Sequence, residues 1–299
     1  MRGDSETRSG RRLRADERGV GLVIVAGMSD GHDLRTLMVS AGYRIEDWSP
    51  VTTGESGATV FRNADATRYA KCVPAADAAV LKAEHDRVEW LADQRVPGPR
   101  VLEWHSGQAG ALLVTSAVPG VSADRLSAAD LHAAWPHIAA AVRGLHGLPA
   151  RRCPFDRGLD TMVAVARDVV GRDAVNPEFL PVEQQHTPPE ELLARLEPEI
   201  ARMRAREAVD AVVCHGDLCL PNIVVDPETL KVSGFIDLGR LGSADRYADL
   251  ALLLANSRET WEDEAQALAA DTLFADRYGL VLDRDRLDFY LHLDPLTWG

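Results

Sequence analysis

The chain has 299 residues, with 46 acidic against 33 basic side chains and a formal net charge of −13. That balance disfavours a nucleic-acid partner, and no apolar run approaches the ~18–20 residues of a membrane span. A hydrophobic share of 46% and a charged share of 26% fit a globular protein of one or two domains.

Residues 1–33 read as a leader. MRGDSETRSGRRLRADERG is arginine-rich and aperiodic, and VGLVIVAGM is apolar but short, without the cleavage region of a signal peptide. The expectation is a disordered segment, or a reading frame opened upstream of a natural start at Met28, with folded sequence from about Leu34.

Residues 34–115 carry the pattern of a small, strand-rich lobe with one helix. TTGESGATVFR (52–62) joins two strand-like runs through Gly54, Ser56 and Gly57. Its backbone N–H groups and the Ser56 hydroxyl suit a loop folded over phosphates. TRYAKCV (67–73) alternates Tyr69, Lys71 and Val73 onto one strand face. A helix is expected over 76–94, with Val80, Glu84, Val88 and Leu91 on one stripe. A carboxylate within that stripe is costly unless a cation meets it. Lys71, one of three lysines in the chain, is the candidate. Val101-Leu102 and Ala111 to Val114 read as further strands. Residues 116–120 read as a hinge whose backbone groups meet an adenine edge.

Residues 121–299 are expected to form a larger, mainly helical lobe. A helix opening at Ser127 carries Leu131, Trp135, Ile138 and Val142 on one stripe, and LHGLP (145–149) stops it. Further helices are expected near 159–170, 189–206, 245–257, 263–277 and 284–293, with Asp245 capping the third. The four cysteines form no CxxC pair, which points to reduced thiols in a cytoplasmic protein rather than to zinc or a disulfide framework.

The chemistry concentrates in HGDLCLPN (215–222) and FIDLGR (235–240). Protein kinases order a catalytic aspartate, an asparagine five residues on and a metal-binding aspartate in this way. Here these are Asp217, Asn222 and Asp237, with Gly216 standing for the usual arginine. Val212 to Cys214 reads as a strand into the motif. Ile223 to Val225 and Val232 to Ile236 read as a hairpin that returns Asp237 to Asn222. An amide oxygen and a carboxylate suit Mg²⁺, and Asp217 is then the group that orients an acceptor hydroxyl.

Together HGDLCLPN, FIDLGR, DRYADLA and LHGLP resemble the aminoglycoside O-phosphotransferase family over roughly residues 40–299. The resemblance implies a two-lobed, protein-kinase-like α+β fold: a small antiparallel sheet with one helix (34–115), the hinge (116–120) and a catalytic and acceptor-binding lobe (121–299). It implies ATP and Mg²⁺ as cofactors, Asp217 as base, Asn222 and Asp237 as metal ligands, and Lys71 on the phosphates with Glu84 fixing it. It also implies Gly54 and Ser56 in the phosphate loop, Thr115 and Ala117 at the hinge, and Arg240 near the phosphate or acceptor.

CPFDRGLD (153–160), residues 232–261 and the ending YLHLDPLTWG look most like streptomycin 3''-phosphotransferases. A cationic aminoglycoside is therefore the expected partner, with Glu183 and Asp294 offered to its guanidinium groups. Residues 226–299 hold fifteen acids against seven bases, which favours a cationic acceptor. Three other readings share parts of the pattern: a kanamycin/neomycin 3'-phosphotransferase, a kinase of another small hydroxylated acceptor, and a catalytically dead nucleotide-binding module.

Overall fold

A computed structural model describes residues 30–51 and 58–299. Its smaller lobe is a five-stranded antiparallel sheet of β1 (Trp48–Val51), β2 (Thr59–Asn63), β3 (Arg68–Val73), β4 (Val101–Gly107) and β5 (Gly110–Ser116), in the order β1-β2-β3-β5-β4. Strand alternation gives the sheet two apolar faces. Ala70, Cys72, Leu112 and Val114 pack on Leu37 and Met38 of α1 (Asp30–Ser40). Val73, Ala111 and Leu113 pack on Leu81 of α2 (Ala78–Asp93).

The lobe thus has one more helix than the sequence suggests. Folded sequence is expected from about Leu34, yet α1 begins at Asp30, and its Leu37 and Met38 cover the outer sheet face.

The stripe on α2 is also phased differently. Val80 is 71% exposed, and the buried positions are Leu81, His85, Val88 and Leu91. Glu84 stands beside that stripe rather than within it, at the rim where β3 passes.

Beyond residues 117–120 lies the larger lobe. Its strands are β6 (Val121–Ser122), β7 (Ala211–Cys214), β8 (Ile223–Val225), β9 (Val232–Phe235) and β10 (Gly242–Asp245). They form a three-stranded sheet in the order β6-β8-β9 and a β7–β10 ribbon, both antiparallel. Gly120 makes the crossing possible, since its φ is +131° and a Cβ there would meet the Val225 carbonyl oxygen at 2.4 Å.

Around these strands pack α3 (Ala128–His146), α4 (Leu159–Gly171), α5 (Pro189–Leu196), α6 (Ile200–Asp210), α7 (Tyr247–Ser257), α8 (Glu264–Tyr278) and α9 (Arg284–Leu293). The Ser127 hydroxyl caps α3 by accepting from the Asp130 N–H at 3.1 Å. The expected stripe of Leu131, Trp135, Ile138 and Val142 is fully buried. Trp135 locks α3 to α8 by donating its indole N–H to the Ala270 carbonyl at 2.8 Å.

The helix expected over 189–206 is two helices. Pro198, which has no backbone N–H to donate, lies in the tight turn Glu197–Glu199 between α5 and α6. Asp245 closes β10 instead of capping in the usual position, although its Oδ1 still accepts from the Tyr247 N–H at 2.9 Å. All four cysteines are free, and among the described residues no helix is long and apolar enough to cross a membrane.

Candidate active site

The site forms where β3, α2, the β7–β8 loop and the segment after β9 converge. Lys71 projects from β3 between two carboxylates, with Nζ 2.8 Å from Glu84 Oε2 and 3.3 Å from Asp237 Oδ1. Burial works against its ammonium, but the charges of Glu84 and Asp237 hold its pKa above the usual 10.5. Lys71 therefore stays a cation at any physiological pH. One turn along α2 from Glu84, Arg87 donates from Nε to the Leu241 carbonyl at 2.8 Å, which ties the helix to the segment carrying Asp237.

The β8–β9 hairpin brings the two metal-ligand candidates together. Ile223 pairs with Phe235, and the Ile236 N–H donates to the Asn222 carbonyl at 3.0 Å. Asp237 then turns outward in the left-handed region, at φ +57°. Asn222 Nδ2 donates to the Asp217 carbonyl at 2.9 Å and to Asp217 Oδ2 at 3.0 Å. With its amide nitrogen engaged there, Asn222 has Oδ1 left to face a cation. That oxygen and the exposed Asp237 carboxylate are a hard-oxygen donor set that fits Mg²⁺.

The loop bearing Asp217 is fixed by its backbone. Asp249 on α7 accepts from the His215 N–H at 2.6 Å and the Gly216 N–H at 2.8 Å. His146 Nε2 lies 3.0 Å from the same carboxylate, and His146 Nδ1 lies 2.7 Å from the Tyr278 hydroxyl. Complete burial works to raise the Asp249 pKa, but the hydrogen bond and charge of His146 and the Gly216 N–H together hold it below 3.8.

His215 Nδ1 receives the Asp217 N–H at 3.3 Å, so its Nε2 carries the proton donated to the Ile236 carbonyl at 2.9 Å. This bond is a second tie between the catalytic loop and the Asp237 segment.

Gly216 explains the missing arginine. Its φ is +84°, and a Cβ there would lie 2.0 Å from the Arg240 carbonyl oxygen. No side chain fits between the two segments.

Asp217 itself is largely enclosed. Burial, reinforced by the negative charges of Asp294 and Asp237, raises its pKa above 3.8 against the opposing charge of Arg240. Arg240 turns toward the C-terminal turn Asp294–Thr297. It donates to the Thr297 carbonyl at 3.1 Å and stacks on the Trp298 ring, 3.8 Å from its centroid. Burial and the nearby Arg157 lower its pKa to about 10, which leaves it charged at neutral pH.

Asp294 is buried, its Oδ1 3.1 Å from Arg157 Nη2 and its Oδ2 3.0 Å from the Trp298 indole nitrogen. Glu183 is exposed on the turn Val182–Gln184. Thr115 lies on β5 opposite Tyr69, and the Ala117 N–H donates to the Thr67 carbonyl at 2.8 Å. Gly54 and Ser56 lie outside the described residues.

Lys71, Glu84, Asp217, Asn222 and Asp237 are thus one connected set, with Arg240 and Asp294 on its C-terminal side. Three further residues shape it that sequence reading did not single out: Asp249, Arg157 and Arg87. Asp249 had a usable signal, since a lone carboxylate among the leucines of DRYADLALLL needs buried partners. Arg157 and Arg87 had none, because their partners are carbonyls and a carboxylate far away in sequence.

A cation clamped between strand and helix carboxylates, facing an aspartate–asparagine–aspartate set on a loop and hairpin, defines a kinase-like phosphotransferase. Comparison with known proteins agrees. The chain belongs to the phosphotransferase enzyme family, which it matches over residues 47–290.

It is 70% identical over 253 residues to a streptomycin 3''-kinase of Streptomyces griseus, a match covering 85% of this chain and 93% of the relative. It is 41% identical over 262 residues to an aminoglycoside 3'-phosphotransferase of Streptomyces fradiae, covering 84% of this chain and 96% of the relative. Among solved structures, it is similar to the aminoglycoside phosphotransferase APH(3'')-Id of Streptomyces rimosus in complex with ADP and streptomycin. That likeness has 60% identity and a TM-score of 0.85, and it covers 89% of this chain and 99% of the other.

Proposed function

We propose that this enzyme transfers the γ-phosphate of ATP to the 3''-hydroxyl of streptomycin and so confers resistance to it. The carrying observation is the complete Lys71, Glu84, Asp217, Asn222 and Asp237 set in a chain 70% identical to a streptomycin 3''-kinase. ATP as the nucleotide is supported by the ADP bound in the Streptomyces rimosus relative.

In this reading residues 34–115 hold the nucleotide, 116–120 are the hinge and 121–299 carry the catalytic and acceptor groups. Thr115 and Ala117 border the adenine. Because the Ala117 N–H already donates to Thr67, its carbonyl is the group that accepts from the exocyclic amine. Gly54 and Ser56 fold over the phosphates, and Lys71, held by Glu84, pairs with phosphate oxygens.

Asn222 Oδ1 and Asp237 would hold Mg²⁺, which would supply positive charge to offset that of the phosphate oxygens. Asp217 accepts a hydrogen bond from the acceptor hydroxyl and aims its oxygen at the γ-phosphorus. Its raised pKa makes it a better proton acceptor than an ordinary carboxylate. Arg240 adds positive charge beside Asp217 from its seat on the C-terminal turn.

Glu183 and Asp294 are the carboxylates assigned to the guanidinium groups of streptomycin. Glu183 is the freer of the two, since Asp294 must share an oxygen with Arg157 or Trp298. Dependence on ATP and four free thiols suit a cytoplasmic enzyme.

The 41% identity to a 3'-phosphotransferase favours one alternative, transfer to the 3'-hydroxyl of a kanamycin- or neomycin-type acceptor. The test is mass spectrometry of streptomycin and kanamycin after separate incubation with enzyme and MgATP. A one-phosphoryl mass gain on streptomycin alone is expected. A gain on kanamycin alone would keep the kinase reading and overturn the acceptor.

A further inference from the structure

We infer that Arg157 is a positioning residue for phosphoryl transfer: its buried guanidinium ties the carbonyl of the catalytic loop to the C-terminal turn and so sets the loop's register against the acceptor side. The inference rests on the phosphotransferase reading above and adds to it a residue that does not touch either substrate.

The geometry is specific to an arginine. Arg157 is 7% exposed, follows α3 in a connecting segment and is pinned there, its N–H donating to the Ser243 carbonyl at 3.0 Å. From that anchor Nε donates to the Gly216 carbonyl at 3.2 Å, and Nη2 donates to Asp294 Oδ1 at 3.1 Å. Gly216 is the residue before Asp217, so a shift of its peptide moves the catalytic carboxylate directly.

The preceding peptide group is held by Asp249, through the Gly216 N–H at 2.8 Å. Asp249 and Arg157 therefore hold the two peptide groups that flank the Gly216 Cα. The loop cannot relax its grip on either, because the Gly216 position packs against the Arg240 backbone and the Arg157 side chain.

Asp294 completes the linkage. Both of its oxygens are engaged within the protein, by Arg157 and by the Trp298 indole, and Arg240 Nη1 stands 3.9 Å from the same Oδ1. Two buried cations and one buried carboxylate thus bridge three segments distant in sequence: 157, 240 and 294. A lysine at 157 keeps the charge, but its donors radiate from a single nitrogen and do not reproduce the separated Nε and Nη2 donors of the planar guanidinium.

The test compares wild-type enzyme, Arg157→Lys, Arg157→Ala and Asp294→Asn in steady-state transfer to streptomycin, with KM for ATP and for the acceptor measured separately. A displaced catalytic group costs on the order of 10–10² in rate. That loss is expected in kcat for Arg157→Lys, with the KM for ATP within about twofold of wild type, since no nucleotide contact changes. Arg157→Ala should lose at least as much and regain several-fold on adding guanidinium ion, a rescue that neither wild type nor Arg157→Lys shows.

Asp294→Asn, which keeps the shape and the bond to Trp298, should lower kcat in the same way. It carries the test should the Arg157 variants not fold. Wild-type kcat in Arg157→Lys would overturn the inference. So would an Asp294→Asn enzyme with wild-type kcat, whatever its acceptor KM, because a rise in that KM reports only the guanidinium contact already assigned to Asp294. If wild-type enzyme itself fails to phosphorylate streptomycin, the acceptor assignment falls, and the same kcat comparison is made on slow hydrolysis of ATP, where the same loss is expected.

Discussion

In the proposed reaction Asp217 is the base, and its surroundings serve two needs. Asn222 donates to its Oδ2 and fixes its direction, while burial and the charges of Asp294 and Asp237 raise its pKa above 3.8. A base must be deprotonated to act, so a raised pKa moves the loss of activity on acidification to higher pH. The acid limb of kcat is therefore expected above the value of an ordinary aspartate, with full activity retained toward neutrality. A pH–rate profile checks this, and a limb at or below 3.8 would remove the argument from burial.

At the same scale, one departure from the kinase pattern has a steric cause. Gly216 stands where an arginine is usual because the Arg240 carbonyl occupies its Cβ position. Asp237 adopts a positive φ, which lets its carboxylate turn out of the hairpin toward Lys71.

Helix α2 is the element that couples the two lobes. Glu84 holds Lys71, and Arg87, three residues on, holds the Leu241 carbonyl beyond Asp237. Hydrogen bonds to charged groups contribute roughly 1.5–3 kcal/mol. Removing the charge with Glu84→Gln is therefore expected to raise the KM for ATP about ten- to hundredfold while leaving the fold intact. Titration with a fluorescent nucleotide would check it, and unchanged affinity would mean that Lys71 is held by Asp237 alone.

The elements also show what a sequence can and cannot reveal. Helices α4, α7, α8 and α9 begin and end within two residues of where their periodicity places them. The β8–β9 hairpin and the Lys71–Glu84 pair were both legible, because turn residues and a misplaced carboxylate are local signals. The phase of α2 was not: Val80 and Leu81 are equally apolar, and only contact with the sheet decides which one is buried. The short strand β10 escaped for a similar reason, since its pairing with β7 is a long-range event. Arg157 and Arg87 fall in the same class, their partners lying 59 and 154 residues away.

At the scale of the whole molecule, a five-stranded sheet and a helical lobe meet at one cleft, and the candidate catalytic groups among the described residues are tied to one another or to neighbouring segments. His215 bonds to Ile236, Asn222 to Ile236 and Asp217, Lys71 to Asp237, and Arg240 to Thr297. The lobe bearing Asp217 is also the more acidic part of a chain of net charge −13, which suits capture of a polycationic drug.

The central claim is that this cleft moves phosphate from ATP to streptomycin with Asp217 as base. The most direct measurement is ³¹P NMR of streptomycin after incubation with MgATP and either wild-type enzyme or Asp217→Ala. Wild type should give a phosphomonoester on the 3''-hydroxyl. The variant should bind ATP normally and form product at a rate reduced by ~10²–10⁴. A variant that forms the ester at the wild-type rate would contradict the account.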